Sequence, residues 1–188
     1  MNLDMRWQMF KWRAFALIAL GMKQRALDVF EEMLILYPND SYVLSSLAYL
    51  KTEMGDKLGA IALYKKVVLN ANAPAQAWYN LGFLQEELGQ IDDAALSMRK
   101  AIAIDEKLDL AWYGLGLVLI QQNRPDEALK ALKKNTQLQP MSPYAWYQMA
   151  RVYADSHRPE KALEIITHLK GFEPKFAAQL ERETGLTG

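Results

Sequence analysis

The chain has no cysteine, which removes disulfides, thiol catalysis and cysteine-ligated zinc together without fixing a compartment. It has only two histidines, too few to support most metal or acid–base chemistry. It also lacks net charge: 22 basic residues balance 22 acidic ones, so no positive field draws in nucleic acid or an anionic membrane. Short basic clusters such as Lys133-Lys134 lie beside acidic neighbours, as on a solvated helix face. No run of about 18 apolar residues is present, so membrane insertion is not expected. The apolar content of 51% excludes a disordered chain, and 188 residues suffice for one sizeable core or one short repeat array.

Near the N-terminus, Lys11 and Arg13 precede the apolar stretch from Ala14 to Met22, superficially as in a signal peptide. No small-residue cleavage site follows, and the stretch fits the repeat described next, so it reads as a helix of the mature protein.

Internal periodicity governs everything else. Trp78, Trp112 and Trp146 are spaced by 34, and the same step reaches Leu44 and Phe10 backward and Leu180 forward. Four residues later stands a small residue each time: Ala14, Ala48, Gly82, Gly116 and Ala150. A third column is alanine without exception: Ala26, Ala60, Ala94, Ala128 and Ala162. Between them Gly21, Gly55, Gly89, Asn123 and His157 share one phase, where a helix ending in the left-handed conformation is expected. Each repeat is therefore two helices and a turn. Pro125 and Pro159, two residues past that turn, suit the first position of the second helix. Phe30, Tyr64, Met98, Leu132 and Ile166 form its apolar column. Pro38, Pro140 and Pro174 are expected to stop it, and Asn72 and Glu106 at the same phase predict junctions that are less sharply bent or more helical.

These columns resemble the tetratricopeptide repeat family, most closely at Trp78-Tyr79-Asn80-Leu81-Gly82 and Trp112-Tyr113-Gly114-Leu115-Gly116. The resemblance covers residues 7 to 176. It implies an all-α fold, an α-solenoid of antiparallel helix pairs wound into a right-handed superhelix. One solenoid domain over 1–188 is expected, with repeats at 7–40, 41–74, 75–108, 109–142 and 143–176 and a cap helix at 177–185 ended by Gly185. Arg13 stands in the column of Leu47, Leu81, Leu115 and Met149, giving the first helix the polar outer side a terminal repeat needs. Asn135 falls at the otherwise apolar position of Met33, Val67, Ala101 and Leu169, where a hydrogen bond to backbone would account for it.

Catalysis has little to draw on. His157 belongs to the turn column, and His168 lies on the outer phase of its helix, so neither requires a chemical role. The pairs Glu86-Glu87 and Asp92-Asp93 are adjacent and cannot face each other as a dyad within a helix. No phosphate loop, nucleophile elbow or H-E-x-x-H pattern occurs. The expectation is no enzyme, no metal, no cofactor and no small-molecule substrate.

The resemblance further implies a concave groove lined by the first helix of each repeat. By register it is formed by Gln8, Lys11 and Phe15; Tyr42, Ser45 and Tyr49; Gln76, Tyr79, Asn80 and Phe83; Tyr113 and Leu117; and Tyr144, Tyr147 and Arg151. Six of the nine tyrosines fall in that set, and aromatic side chains give large contact area at low entropic cost. Tyr79, Tyr113 and Tyr147 also serve helix packing in the consensus, so Tyr42, Tyr49 and Phe83 are the better groove candidates. The family's carboxylate clamp is missing: Lys11 fits its first place, but Phe15, Ser46, Gln76 and Asn80 replace the rest. The implied function is a protein-interaction module, an adaptor or chaperone-like assembly factor as in bacterial secretion systems, binding a peptide segment with apolar side chains. A structural subunit contacting a homo-oligomeric or other partner through convex faces or ends is the alternative. The expected setting is cytoplasmic, with the periplasm left open.

Overall fold

A computed structural model describes residues 3–187. Among them are eleven α-helices and no strand: α1 (Leu3–Ala19), α2 (Lys23–Leu36), α3 (Ser41–Glu53), α4 (Lys57–Val68), α5 (Ala75–Glu87), α6 (Ile91–Ile104), α7 (Asp109–Gln121), α8 (Pro125–Leu138), α9 (Pro143–Asp155), α10 (Pro159–Lys170) and α11 (Pro174–Thr184). None of the described helices is long and apolar enough to cross a membrane. The chain divides into two compact units, Met1–Leu84 and Gln85–Gly188.

The turn column behaves as its residues dictate. Gly21, Gly55, Gly89, Asn123 and His157 all have positive φ, between 55° and 86°. Each ends a first helix with the same two backbone hydrogen bonds. In the first repeat the Met22 N–H donates to the Leu17 carbonyl and the Gly21 N–H to Ile18; in the fifth, Arg158 donates to Tyr153 and His157 to Ala154. This paired pattern satisfies carbonyls that the helix end would otherwise orphan. Asn123 and His157 achieve it at a strain cost that the three glycines avoid.

Helix starts are equally local. The Asp40 carboxylate accepts from the N–H groups of Tyr42 and Val43, and Asp56 accepts from Gly59, capping α3 and α4. Proline opens α8, α9, α10 and α11, where a missing N–H costs nothing. Pro174 therefore begins α11 rather than ending α10, which already stops at Lys170. The junctions at Asn72 and Glu106 are not more helical, because turns centred on carboxylate or amide side chains take over: Asn70 accepts from the Asn72 N–H and Asp105 from the Lys107 N–H.

In the first unit α1 packs on α2, α2 on α3 and α3 on α4. In the second unit, α7 packs on α8, α8 on α9, and α11 on both α9 and α10. The alanine column is wholly buried, and Phe30, Tyr64, Met98, Leu132 and Ile166 are at most 2% exposed. Asn135 is buried, and its amide donates to the Asp109 carbonyl at 2.8 Å, tying α8 to the start of α7. Arg13 is exposed and pairs with Glu32 at 3.6 Å, but the outer side of α1 is not polar as expected, because Met5, Met9 and Trp12 are exposed there as well.

The small column is set by contact. A Cβ on Gly116 would lie 2.6 Å from Leu132 Cδ2 and 2.7 Å from its Cγ, and Leu132 is fully buried. Overpacking there costs about 1–3 kcal/mol, which outweighs the roughly 1 kcal/mol that alanine gains over glycine in a helix. Gly116→Ala is therefore expected to lower stability by about 1 kcal/mol in urea denaturation. Gly114→Ala, which meets the flexible end of Met98, is expected to lose less.

Candidate functional site

In the first unit, α3, α4 and α5 enclose a cleft of 220 Å³ lined by Tyr49, Thr52, Glu53, Tyr64, Tyr79, Asn80, Phe83 and Leu84. Helical spacing places Tyr79 and Phe83 one turn apart on α5, with their rings stacked at 6.4 Å. Tyr49 on α3 is 54% exposed and Phe83 is 42% exposed, so large apolar surface faces solvent at the rim. The floor is polar and internally hydrogen-bonded. Asn80 Nδ2 donates to the hydroxyl of buried Tyr64 at 3.0 Å, and Asn80 Oδ1 accepts from Gln76 at 2.9 Å. Burial pushes the Tyr64 phenol above its ordinary range, so it stays neutral. Thr52 donates to the Ala48 carbonyl, and Glu53 pairs with Lys23 at 3.0 Å. With these polar groups engaged, what the cleft offers a ligand is shape and aromatic surface.

Four of the expected groove residues, Tyr49, Tyr79, Asn80 and Phe83, thus come together. Tyr42 and Lys11 do not join them. Tyr42 is half-buried against Trp7 and Phe30, and desolvation raises its phenol pKa. Lys11 holds its ammonium 5.0–5.9 Å from the rings of Tyr42, Trp7 and Phe15, a cation–π arrangement internal to the unit. Tyr64, Thr52 and Glu53 were not among the expected site residues. Tyr64 carried one signal: it is the single hydroxyl in a column otherwise Phe, Met, Leu and Ile, and a buried hydroxyl needs a partner.

In the second unit, Tyr113 and Leu117 are half-buried on α7, while Tyr144, Tyr147 and Arg151 share one face of α9. That face meets α11. Phe176 lies edge-on to Tyr144 and Tyr147 at 5.6 and 5.8 Å. The Tyr147 hydroxyl donates to Glu183 at 2.6 Å, Gln179 donates to both, and Arg151 stands 4.0 Å from Glu183. The hydrogen bonds from Tyr147 and Gln179 hold the Glu183 carboxyl below the usual carboxylate range, whereas burial and Glu183 raise the Tyr147 phenol. The acidic run read as a solvating cap therefore contributes a specific contact.

A cleft of 490 Å³ lies among α8, α9 and α10, bordered by Lys133, Gln137, Trp146, Tyr153, Lys161 and Glu164. Trp146 and Met149 stand in repeat columns, but the polar residues beside them come from three helices and no column marks them. His168 packs against Trp146 at 4.6 Å and Phe172 at 5.2 Å. Among the described residues no three metal-ligating side chains cluster.

Residues 44–170 match the family model described as the Cilia and flagella-associated protein 70 middle TPR-like domain, and residues 12–40 match the tetratricopeptide repeat model. The chain belongs to the tetratricopeptide repeat family. Tetratricopeptide arrays are protein-interaction modules, and this chain is one. Its fold is shared with the crystal structure of MamA, at 24% identity and TM-score 0.78, covering 92% of this chain and 96% of that one. MamA from Desulfovibrio magneticus RS-1 is similar at 19% identity and TM-score 0.79, covering 94% and 95%. YrrB, a tetratricopeptide protein with an unusual peptide-binding site, is similar at 22% identity and TM-score 0.80, covering 90% and 88%. At these identities the likeness concerns the fold. No curated protein matches the sequence significantly.

The Glu183 contact gives a pH signature. Because its folded pKa is lowered, its contribution is complete above the ordinary carboxylate value of about 4.3 and is lost as pH falls through the lowered value. Acidification below about pH 4 is expected to loosen α11 from α9, seen in the Tyr147 and Phe176 ring resonances. Glu183→Gln is expected to abolish that step.

Proposed function

We propose that this chain is an adaptor or chaperone-like assembly factor that captures a segment of a partner polypeptide by a bulky apolar side chain in the cleft between α3 and α5. The observation that carries this reading is the exposed pair Tyr49 and Phe83 flanking a 220 Å³ cleft with an internally hydrogen-bonded floor. Exposed aromatic surface around a concavity marks contact sites, and a cleft of this size suits one Leu, Phe or Trp side chain. The peptide-binding site of the structurally similar YrrB supports the same type of ligand. No nucleophile–base pair lines the cleft, and Lys11 lies among its own aromatic neighbours, so neither turnover nor capture of an acidic tail is the expected use. The balanced charge argues against nucleic acid, and the proposed setting is the cytoplasm.

A second reading, a structural subunit that contacts partners outside the groove, is favoured by the larger cleft among α8, α9 and α10.

Selection from a displayed peptide library, followed by titration of the enriched peptides, separates the two. Micromolar binding, about −8 kcal/mol, by peptides sharing a bulky apolar residue is expected. Tyr49→Ala and Phe83→Ala should each weaken it by about 1–2 kcal/mol, or roughly tenfold, with helicity unchanged. Enriched peptides without such a residue, or affinity indifferent to both substitutions, would contradict the groove reading.

A further inference from the structure

Helix α1, with Leu20 just past its end, carries a second apolar stripe besides the one it buries. Phe10, Ala14 and Leu17 are buried in the first unit, while Met5 is 63% exposed, Met9 51%, Trp12 68% and Leu20 69%. At 100° per residue these four, with exposed Ala16 between them, fall within an arc of roughly 90°.

The repeat register shows what this face is. The positions equivalent to Met9 are Val43, Ala77, Ala111 and Ala145, and those equivalent to Ala16 are Leu50, Leu84, Val118 and Val152; all eight are buried. In α3 and α9 the preceding helix pair packs against the helix that carries them. On α1 no described residue covers the same face. Its residues are bulkier than those at the same phases of the later repeats. Met9 stands where the later repeats bury Val or Ala, and Trp12 where Ser46, Asn80, Gly114 and Gln148 are half-buried.

The stripe is complementary to itself. We propose that α1 packs antiparallel against α1 of a second copy about a two-fold axis near residues 12 and 13. In that register Met9 of one copy faces Ala16 of the other, and Met5 faces Leu20, so large meets small near the centre. Trp12 sits beside the axis against Trp12 and Arg13 of the second copy. A parallel pair would set Met9 on Met9 and Ala16 on Ala16, crowding one level and emptying the next, and would align the two helix dipoles unfavourably. Charge does not oppose the contact: Arg13, nearest the axis, is already paired with Glu32, and Arg6 lies over its own Phe10 ring at 5.7 Å. Covering the stripe would bury of the order of 1,000 Å² across the pair, at the lower limit for a specific interface, so a weak, micromolar dimer is the consequence. This inference stands apart from the cleft between α3 and α5, and does not depend on it.

Sedimentation equilibrium of the full chain tests it. The expected mass rises from 21.5 kDa toward twice that value with a micromolar midpoint. Trp12→Glu should raise the dissociation constant at least tenfold without loss of helicity. Met9→Ala and Ala16→Met should each weaken the dimer, and the two together should restore it, because each copy then offers the opposite half of the same match. As the chain has no cysteine, Met9→Cys with Ala16→Cys should give an oxidised covalent dimer, while either alone should not, since like positions lie about 10 Å apart along the axis. A monomer at about 100 µM overturns the proposal, whether or not it binds lipid vesicles or an added amphipathic helix. So does a dimer indifferent to Trp12→Glu, or one not recovered by the swap.

Discussion

Close approach of helices is the constraint on which the rest depends. Each repeat carries a small residue on its first helix and an alanine on its second, and every one of them is buried. Where the small residue is Gly116, a single methyl group would collide with Leu132. The helices can meet this closely only if their ends are also fixed. The five left-handed residues with their paired backbone hydrogen bonds do that at the same phase of each repeat. Packing and termination thus act together. Neither column would specify the fold if the turn between the helices could wander.

That regularity is what makes a binding face available. Burying the helix-facing columns consumes the apolar residues at those phases, which leaves the remaining phases of the first helices free of packing duty. Tyr49 and Phe83 occupy such phases and are exposed as a result, and Tyr79 stacks on Phe83 because four residues bring it to the same side of α5. The polar floor under them, Tyr64 with Asn80, is held by hydrogen bonds between α4 and α5. At the other end of the chain α11 extends the pattern, with Leu180 buried in the anchor column and Gly185 closing the helix in the left-handed conformation.

Much of this was legible in the residues. A spacing of 34 with invariant alanine fixes helix pairs, and Gly, Asn and His at one phase fix the turns, because burial and backbone conformation are each governed by position in the period. The function of a side chain is not governed by phase alone. Tyr42 and Tyr49 sit on one helix and read alike, yet Trp7 and Phe30 close over the first while the second stays 54% exposed. Glu183 reads as one acid in a solvating run, but the Tyr147 hydroxyl reaches it from a position 36 residues earlier. Asn70 and Asp105 replace proline at two junctions by a route that local side-chain hydrogen bonding permits but the repeat pattern does not announce. The cleft bounded by Lys133, Trp146 and Lys161 showed only its tryptophan, since no repeat column marks the two lysines. Sequence periodicity reports what every repeat shares, and specificity lies where one repeat departs from the others.

The central claim is that a bulky apolar side chain of a partner enters the aromatic cleft of the first unit. The most direct measurement is aromatic nuclear magnetic resonance of the full chain during titration with two short peptides that differ only by Leu or Ala at one position. Shifts at Tyr49, Tyr79 and Phe83 that follow the Leu peptide and are lost with the Ala peptide are the result this account predicts. Equal shifts from both peptides, or shifts confined to Trp146 and Tyr153, would contradict it.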